Sequence, residues 1–508
     1  MKTSSDALFR LIKAMTKGEK TYFKKFTSSS GTVSNYFKLF DAIAKSSVYN
    51  EDALLKKFRK ESFVKNFVET KQYLKTQILK ALRNYNSNRS IVFKLREELS
   101  EIELLIEKGI FDLARTQIKK TLKTAQEHEL IHYVFEINKI QLHLSKSLLD
   151  FKALETYQKE TVPEEEEGLK KLAHIQYYAH RYVNMYVLSK KQGVIQYEQM
   201  NVDEKEHPRD SFNAAHLHLA TKLSIGQILG EPTALYKDAK VHYELFQKHP
   251  KQIDLIPVYY FACISLYGMA CAKVNEIKEG LRATKEGIDL LQLLHKKNKI
   301  SYHFFVNYIV KLYNNELRLY LHHGSKTLFK ENYLAYKELM NQYKETSSTA
   351  YIDLTSVFFS EIILEEWDAA EDSYQVLVNT KIRGYREDIE CILRLLGVLV
   401  YYENKNDALL EAAIDAAYQF IRTKDFLFKF ARDFINLFKH KILKAVNRKE
   451  EIQHLIAFKA KTLAFFEEEP QERNVLAYFD FIAWLNSKIE DRSVHEAYWQ
   501  RMQVETIE

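Results

Sequence analysis

The chain has 508 residues, a length at which one hydrophobic core usually stops growing, so it forms either several domains or an elongated array of repeats. Only 13 Gly and 6 Pro stand among abundant Leu, Lys, Glu and Ala, which leaves too few breakers for strands and hairpins and points to an all-α protein. The net charge of +7 is uneven: residues 1–94 hold 20 Lys+Arg against 7 Asp+Glu, or +13, and the remaining 414 hold 55 against 61, or −6.

The opening stretch MKTSSDALFRLIKAMTKGEK carries Asp6, Arg10 and Lys13 where a signal peptide needs an unbroken apolar core, which argues against export by that route. Three cysteines, Cys263, Cys271 and Cys391, make neither a CxxC pair nor a disulfide framework, so a reducing cytoplasm is the expected setting. Residues 1–94 read as a basic helical module. Thr16 and Glu19 form a capping box opening KTYFKKF, SNYFKLFDAIAKS and NEDALLKKFRK are short amphipathic segments, and FVKNFVETKQYLKTQILKALRNY is a longer helix. Lys56, Lys57, Arg59 and Lys60 crowd one segment, and Lys71, Lys75, Lys80 and Arg83 follow. Such a cluster suits an anionic partner, either nucleic-acid phosphates or an acidic protein surface. Glu61-Ser62 makes a poor helix-turn-helix turn and the helix after it is too long for that motif, so nucleic acid is not the favoured partner.

Beyond the module, GIFDLARTQIKKTL places a small Ala114 three residues after Phe111 and before Ile118 and Leu122. That spacing sets a small residue on the inner face of a helix, where a second helix can approach closely. The figure recurs at Tyr236/Ala239/Tyr243, Ile277/Gly280/Thr284, Trp367/Ala370/Tyr374 and Leu410/Ala413/Ala417. Weaker copies are Phe151/Leu154/Gln158, Ile195/Glu198 after Gly193, and Phe329/Asn332/Tyr336. The second positions, 114, 154, 198, 239, 280, 332, 370 and 413, step by 40, 44, 41, 41, 52, 38 and 43, a helix-pair period. Pro163, Pro208 and Pro250 fall 9, 10 and 11 residues past Leu154, Glu198 and Ala239, where they are expected to break the chain between pairs. Ala114, Ala239, Ala370 and Ala413 are expected to be buried at helix contacts.

This figure, best seen in YKDAKVHYELFQKHP and WDAAEDSYQVL, resembles the tetratricopeptide (TPR) family over roughly residues 95–425. The resemblance implies a right-handed α-solenoid of about eight antiparallel helix pairs, here with helices longer than the family's period of about 34 allows. The GEKTYFKKF module is similar to one on bacterial TPR-like proteins without an assigned activity, a resemblance that implies an architecture only. Residues 426–508, with DFLFKFARDFINLFKHKIL and NVLAYFDFIAWLNSKI, read as capping helices.

The uncharged run LIPVYYFACISLYGMACA, residues 255–272, could be taken for a membrane span, but a helix buried on several sides of an array gives the same pattern. HELIH, with His128, Glu129 and His132, matches the zinc-hydrolase pattern HExxH. The helix begun near Ile110 should end at Ala125 to Glu127, however, which puts His128 in a turn and splits the two histidines from a shared face. The run Glu164 to Glu167 behind Pro163 reads as acidic residues opening a helix rather than as a third metal ligand. No GxSxG, GxxxxGK[ST] or GxGxxG is present. The stripe Tyr178, Tyr182 and Tyr186 is expected to pack between helices.

In SYHFFVNYIVKLYNNELRLYL, Asn307, Lys311, Asn314 and Arg318 line one face of an otherwise apolar helix, and His180, Arg181 and Asn184 make a shorter version upstream. On the concave face of a solenoid such groups would hydrogen-bond an extended peptide or its carboxylate. The expected function is therefore a non-enzymatic, cytoplasmic protein- or peptide-binding scaffold without cofactor, metal or membrane anchor. The alternative is a nucleic-acid-binding regulator whose solenoid senses a partner, with a zinc hydrolase third.

Overall fold

The computed structural model describes residues 6–27, 35–87, 90–190, 211–229, 232–343, 350–379, 387–423 and 429–505, and among these the chain is all-α, with no strand. Two compact units emerge. One comprises residues 1–172 with 251–255 and 298–302, the other residues 173–250, 256–297 and 303–508.

The first unit opens with α1 (Ala7–Ala14), α2 (Lys17–Thr27), α3 (Asn35–Lys45), α4 (Glu51–Lys57) and α5 (Phe67–Tyr85). The capping box starts α2 as expected: Thr16 N–H donates to Glu19 Oε2 at 2.8 Å, and Glu19 N–H donates to Thr16 Oγ1 at 3.2 Å. These helices enclose a core of their own, with Ile12, Phe23, Leu39, Ile43, Leu74 and Ile78 fully inaccessible. A second core joins α6 (Ile91–Glu107), α7 (Phe111–Glu127) and α8 (Ile131–Ser147).

After α8 the expected pairing departs from the period. α9 (Phe151–Thr156) runs through a π turn at Tyr157–Thr161 straight into α10 (Val162–Lys190), so Pro163 does not break the chain. It follows directly on the π turn, where Val162 N–H bonds back to the Tyr157 carbonyl, and this widened turn lets the helix continue through a residue that cannot donate. Phe151, the bulky member of this copy, is exposed and Leu154 is only half-buried. The copy at Ile195/Glu198 and Pro208 lie outside the described residues.

The second unit continues through α11 (Phe212–Leu229), α12 (Pro232–Lys248), α13 (Pro250–Leu255, most of which belongs to the first unit), α14 (Pro257–Lys273), α15 (Ile277–Lys296), α16 (Tyr302–His323), α17 (Lys326–Tyr343) and α18 (Ala350–Leu364). It ends with α19 (Trp367–Asn379), α20 (Glu387–Glu403), α21 (Asp407–Arg422), α22 (Lys429–His440), α23 (Arg448–Glu468), α24 (Phe481–Ile489) and α25 (Val494–Glu505). From α17 to α22 each helix packs on the next. The apolar run 255–272 is largely α14, whose Phe261, Ile264, Tyr267 and Cys271 are buried, and no described helix is long and apolar enough to cross a membrane.

The small residues sit at helix contacts. Ala114, Ala239 and Ala370 are each 0% exposed. Gly280 is tighter: a Cβ there would stand 2.7 Å from Leu319 Cδ2 and 2.8 Å from Cys271 Cβ, so only glycine lets α15 approach its neighbours. Ala413 departs from the expectation. It is half-buried, and the small residue at the α21 contact is Ala417, one turn on.

The capping segment also differs in detail. NVLAYFDFIAWLNSKI divides into a 3₁₀ stretch ending at Ala477 and α24. α25 turns back to pack on α18, Trp484 Nε1 donates to Glu403 at 2.7 Å, and Lys488 pairs with the same carboxylate at 2.8 Å.

Candidate partner-binding face

The structure separates the residues of HELIH. His128 closes α7, buried, with Nδ1 2.9 Å from the carbonyl of Thr124. Glu129 occupies the turn at φ 52°, and His132 is exposed on α8 with its ring against Tyr133. Among the described residues no group of three His, Cys, Asp or Glu side chains is placed to hold a metal ion. All three thiols are buried, and burial pushes Cys271 and Cys391 up to about 12, so they stay protonated and unreactive at neutral pH.

The polar stripe on α16 divides into two stations. At the first, Tyr308 O–H donates to the carbonyl of Val258 at 3.0 Å, tying α16 to the first turn of α14. Lys311 Nζ stands 5.1 Å above the Tyr308 ring, a cation–π contact. Burial raises the Tyr308 hydroxyl pKa, and Tyr182 of α10 and Tyr259 of α14 raise it further, so three helices bring three phenols together. Around them Val183 (55%), Tyr186 (50%), Val187 (46%), Val258 (48%) and Tyr259 (38%) are exposed, a concentration of uncovered apolar side chains. Of the expected tyrosine stripe, Tyr178 is buried edge-on against His218, Tyr182 is half-buried, and Tyr186 is exposed.

The second station lies two helical turns along α16, about 10 Å from Lys311 at 1.5 Å per residue. Here Arg318 is exposed. Burial and Arg318 together lower Lys273 of α14, and the same two causes lower His322 to about 4. Arg318 beside Lys273, with no carboxylate bridging either among the described residues, leaves a local excess of positive charge.

Asn307 and Asn314 do not extend this face. Both turn Oδ1 inward, where it is buried without a hydrogen-bond partner, and Asn314 Nδ2 donates to Ser356 Oγ of α18 at 2.9 Å. Asn314 therefore serves helix packing. On α10, His180 contacts Gln176, and Arg181 donates to the Tyr177 hydroxyl at 2.6 Å while lying over its ring, so its guanidinium is partly engaged. Asn184 is exposed.

No known family, curated protein or solved structure matches this chain.

In the N-terminal unit Lys56, Lys57, Arg59 and Lys60 are all exposed, as are Lys80 and Arg83; Lys75 is half-buried, and Lys71 is tied to Glu51 at 2.5 Å. Lys71 belongs to a brace with Tyr49 rather than to a free basic surface.

Sequence reasoning missed His216 and His242, which lie beneath Tyr259. His216 Nδ1 is 2.7 Å from His242 Nε2, the rings stack at 4.9 Å, and the Tyr259 ring stands edge-on to His216 at 4.7 Å. Nothing in the spacing of two histidines on separate helices signals such a pair.

Proposed function

We propose that the protein is a non-enzymatic scaffold, a TPR-like α-solenoid, that binds a protein or peptide segment on the face shared by α10, α14 and α16. The arrangement of that face supports this: exposed Tyr186, Val258 and Tyr259 surround the phenols of Tyr182 and Tyr308, and the uncompensated Lys273–Arg318 pair follows two turns away. A ligand suited to both stations carries an apolar or aromatic anchor and an acidic group about 10 Å from it, roughly three residues of extended chain. Apolar burial would supply most of the affinity, at about 25 cal/mol per Å² before ordering costs, and the cations would set orientation and on-rate.

Selection of a random peptide library on the full chain tests this. Enriched peptides should combine an aromatic or branched apolar residue with Asp or Glu. Tyr259→Ala should weaken them at least tenfold, or about 1.4 kcal/mol, and Lys273→Ala/Arg318→Ala should weaken them and flatten their salt dependence. Val446→Ala, at an 87% exposed residue elsewhere, should change nothing. Peptides that bind these variants as well as they bind the original chain would overturn the assignment.

A further inference from the structure

A cleft of about 250 Å³ lies between α21 and α22, lined by Tyr418, Ile421, Arg422, Arg432, Ile435 and Asn436. Its floor is apolar, since Ile421 and Ile435 are buried. Its rim is cationic. Arg422 and Arg432 are exposed, and neither makes an ion pair or a side-chain hydrogen bond with any described residue. Tyr418 lies one turn before Arg422 on α21, and Asn436 one turn after Arg432 on α22, so each guanidinium has a hydrogen-bonding neighbour on its own helix.

Among the described residues the neighbouring charges are already used. Lys439 pairs with Asp415 at 2.8 Å and lies over the Tyr418 ring, and Asp433 pairs with Lys461 at 2.7 Å. The N-terminus of α22 is occupied too, because Phe430 N–H donates to Glu472 at 3.1 Å. Two guanidiniums thus line one small cleft with no carboxylate among the described residues paired to either, an arrangement that an anion between them would complete. Arginine presents a planar fork that matches phosphate oxygens bidentately.

We propose that this cleft binds a phosphate monoester. Two uncompensated cations call for a dianion, and a monoester carries about −1.5 to −2 near pH 7, whereas a carboxylate carries one charge and would leave one arginine unmatched. The apolar floor gives the organic part of the ester a place that inorganic phosphate would leave empty. Tyr418 and Asn436 supply donors to the remaining oxygens. The site is independent of the face on α10, α14 and α16, and neither reading stands or falls with the other.

Titration calorimetry on the full chain at constant ionic strength tests the proposal with phenyl phosphate, inorganic phosphate, benzoate and a phosphoserine peptide. Phenyl phosphate should bind saturably and at least tenfold more tightly than inorganic phosphate or benzoate. Arg432→Gln and Arg422→Gln should each weaken it at least tenfold, and the double variant should abolish the heat signal while melting like the original chain. A peptide that binds more tightly than phenyl phosphate identifies the source of the ester as a phosphorylated protein, and the reverse order identifies a small molecule. Binding that is equal for the double variant and the original chain, or equal for benzoate and phenyl phosphate, rules the site out. Should the double variant melt early, Asn436→Ala provides the second test: it removes one donor without touching charge and should cost about threefold to tenfold.

Discussion

His216 and His242 remain neutral through the physiological range because burial disfavours the imidazolium: His216 is held down to about 4 and His242 well below its ordinary 6.5. Their surroundings are the rings of Phe212, Phe246 and Tyr259, which offer no charge to stabilise a proton. The consequence for stability has a definite sign. Between pH 6.5 and 4 the unfolded chain binds a proton at His216 that the folded chain does not, so the contribution is complete above 6.5 and is lost as pH falls through that window. The slope is about 1.4 kcal/mol per pH unit for each such histidine. Hydrogen exchange of α11 and α12, corrected for intrinsic rate, should therefore accelerate from pH 7 to pH 5, and His216→Leu/His242→Leu should remove most of that acceleration. An unchanged acceleration in the double variant would remove these histidines as its cause. Because Tyr259 lies against His216, the same variant should leave peptide binding less sensitive to acid.

Helices in this protein meet through small residues and stop through left-handed ones, and only the first device could be read from the sequence. A small residue among bulky ones at fixed spacing has one packing solution, so Ala114, Ala239, Gly280 and Ala370 were legible as contact points. The turns were not legible, because most use residues other than glycine. Glu129, Leu149, Asn275, Glu365 and Lys405 adopt φ between 52° and 62°, each closing a helix with a bond from the next N–H back across the last turn, as Leu130 N to Ala125 O at 2.9 Å. Gly109, Glu129 and Leu149 follow at steps of 20 and Glu365 and Lys405 lie 40 apart, but Asn275, Asn298 and Gly324 are spaced 23 and 26, so the left-handed turns keep the period only locally. The departures have local causes. Pro163 reads as a break, but the π turn before it lets the helix continue through a residue that cannot donate; Ala413 loses its place to Ala417 because α21 starts at Asp407, three residues ahead of Leu410. The candidate face was legible only in part: Lys311 and Arg318 lie on one helix, whereas their partners Tyr259 and Lys273 come from another helix that no local pattern links to them. Gly397 shows how closely α20 approaches α19: a Cβ there would overlap the ring of Tyr374, itself wedged between Phe358 and Tyr401. Gly397→Ala gains about 1 kcal/mol in helix propensity but overpacks by about 1 to 3 kcal/mol. Thermal unfolding should show a net loss, and Gly397→Ala/Tyr374→Leu should recover part of it; a stabilised single variant would mean the two helices can slide apart freely.

Across the whole chain the charge is distributed so that residues 1–94 carry +13 and the remainder −6. Within the basic module the described ion pairs engage few cations: Lys24 with Asp41, Lys38 with Glu61, Lys71 with Glu51, Arg10 with Asp6 and, at its edge, Lys94 with Glu98. Lys56, Lys57, Arg59 and Lys60 stay outside these pairs and face solvent. Two kinds of anionic partner suit such a surface, and salt tells them apart. Binding to a duplex rests on counterion release, so its affinity falls linearly with the logarithm of salt, with a slope near −0.9 per phosphate neutralised. A docked acidic protein surface adds apolar burial and hydrogen bonds that salt does not screen, and it should lose far less between low and physiological ionic strength. Among the described residues of the module the helix that follows the basic segment, α5, spans 19 residues, longer than a helix-turn-helix recognition helix, and on that ground we favour the protein partner. Fluorescence anisotropy of the full chain with a generic duplex should accordingly show weak binding at about 20 mM salt that disappears by about 150 mM, near the ionic strength at which exposed charges are screened within about 8 Å. Replacing Lys56, Lys57, Arg59 and Lys60 with Gln should flatten that low-salt slope by up to four units, since each lysine or arginine lost removes one phosphate contact. If duplex binding instead persists at 150 mM and is abolished by the quadruple variant, the module grips nucleic acid, and the scaffold would then act as a regulator that couples a bound segment on α10, α14 and α16 to a nucleic-acid site.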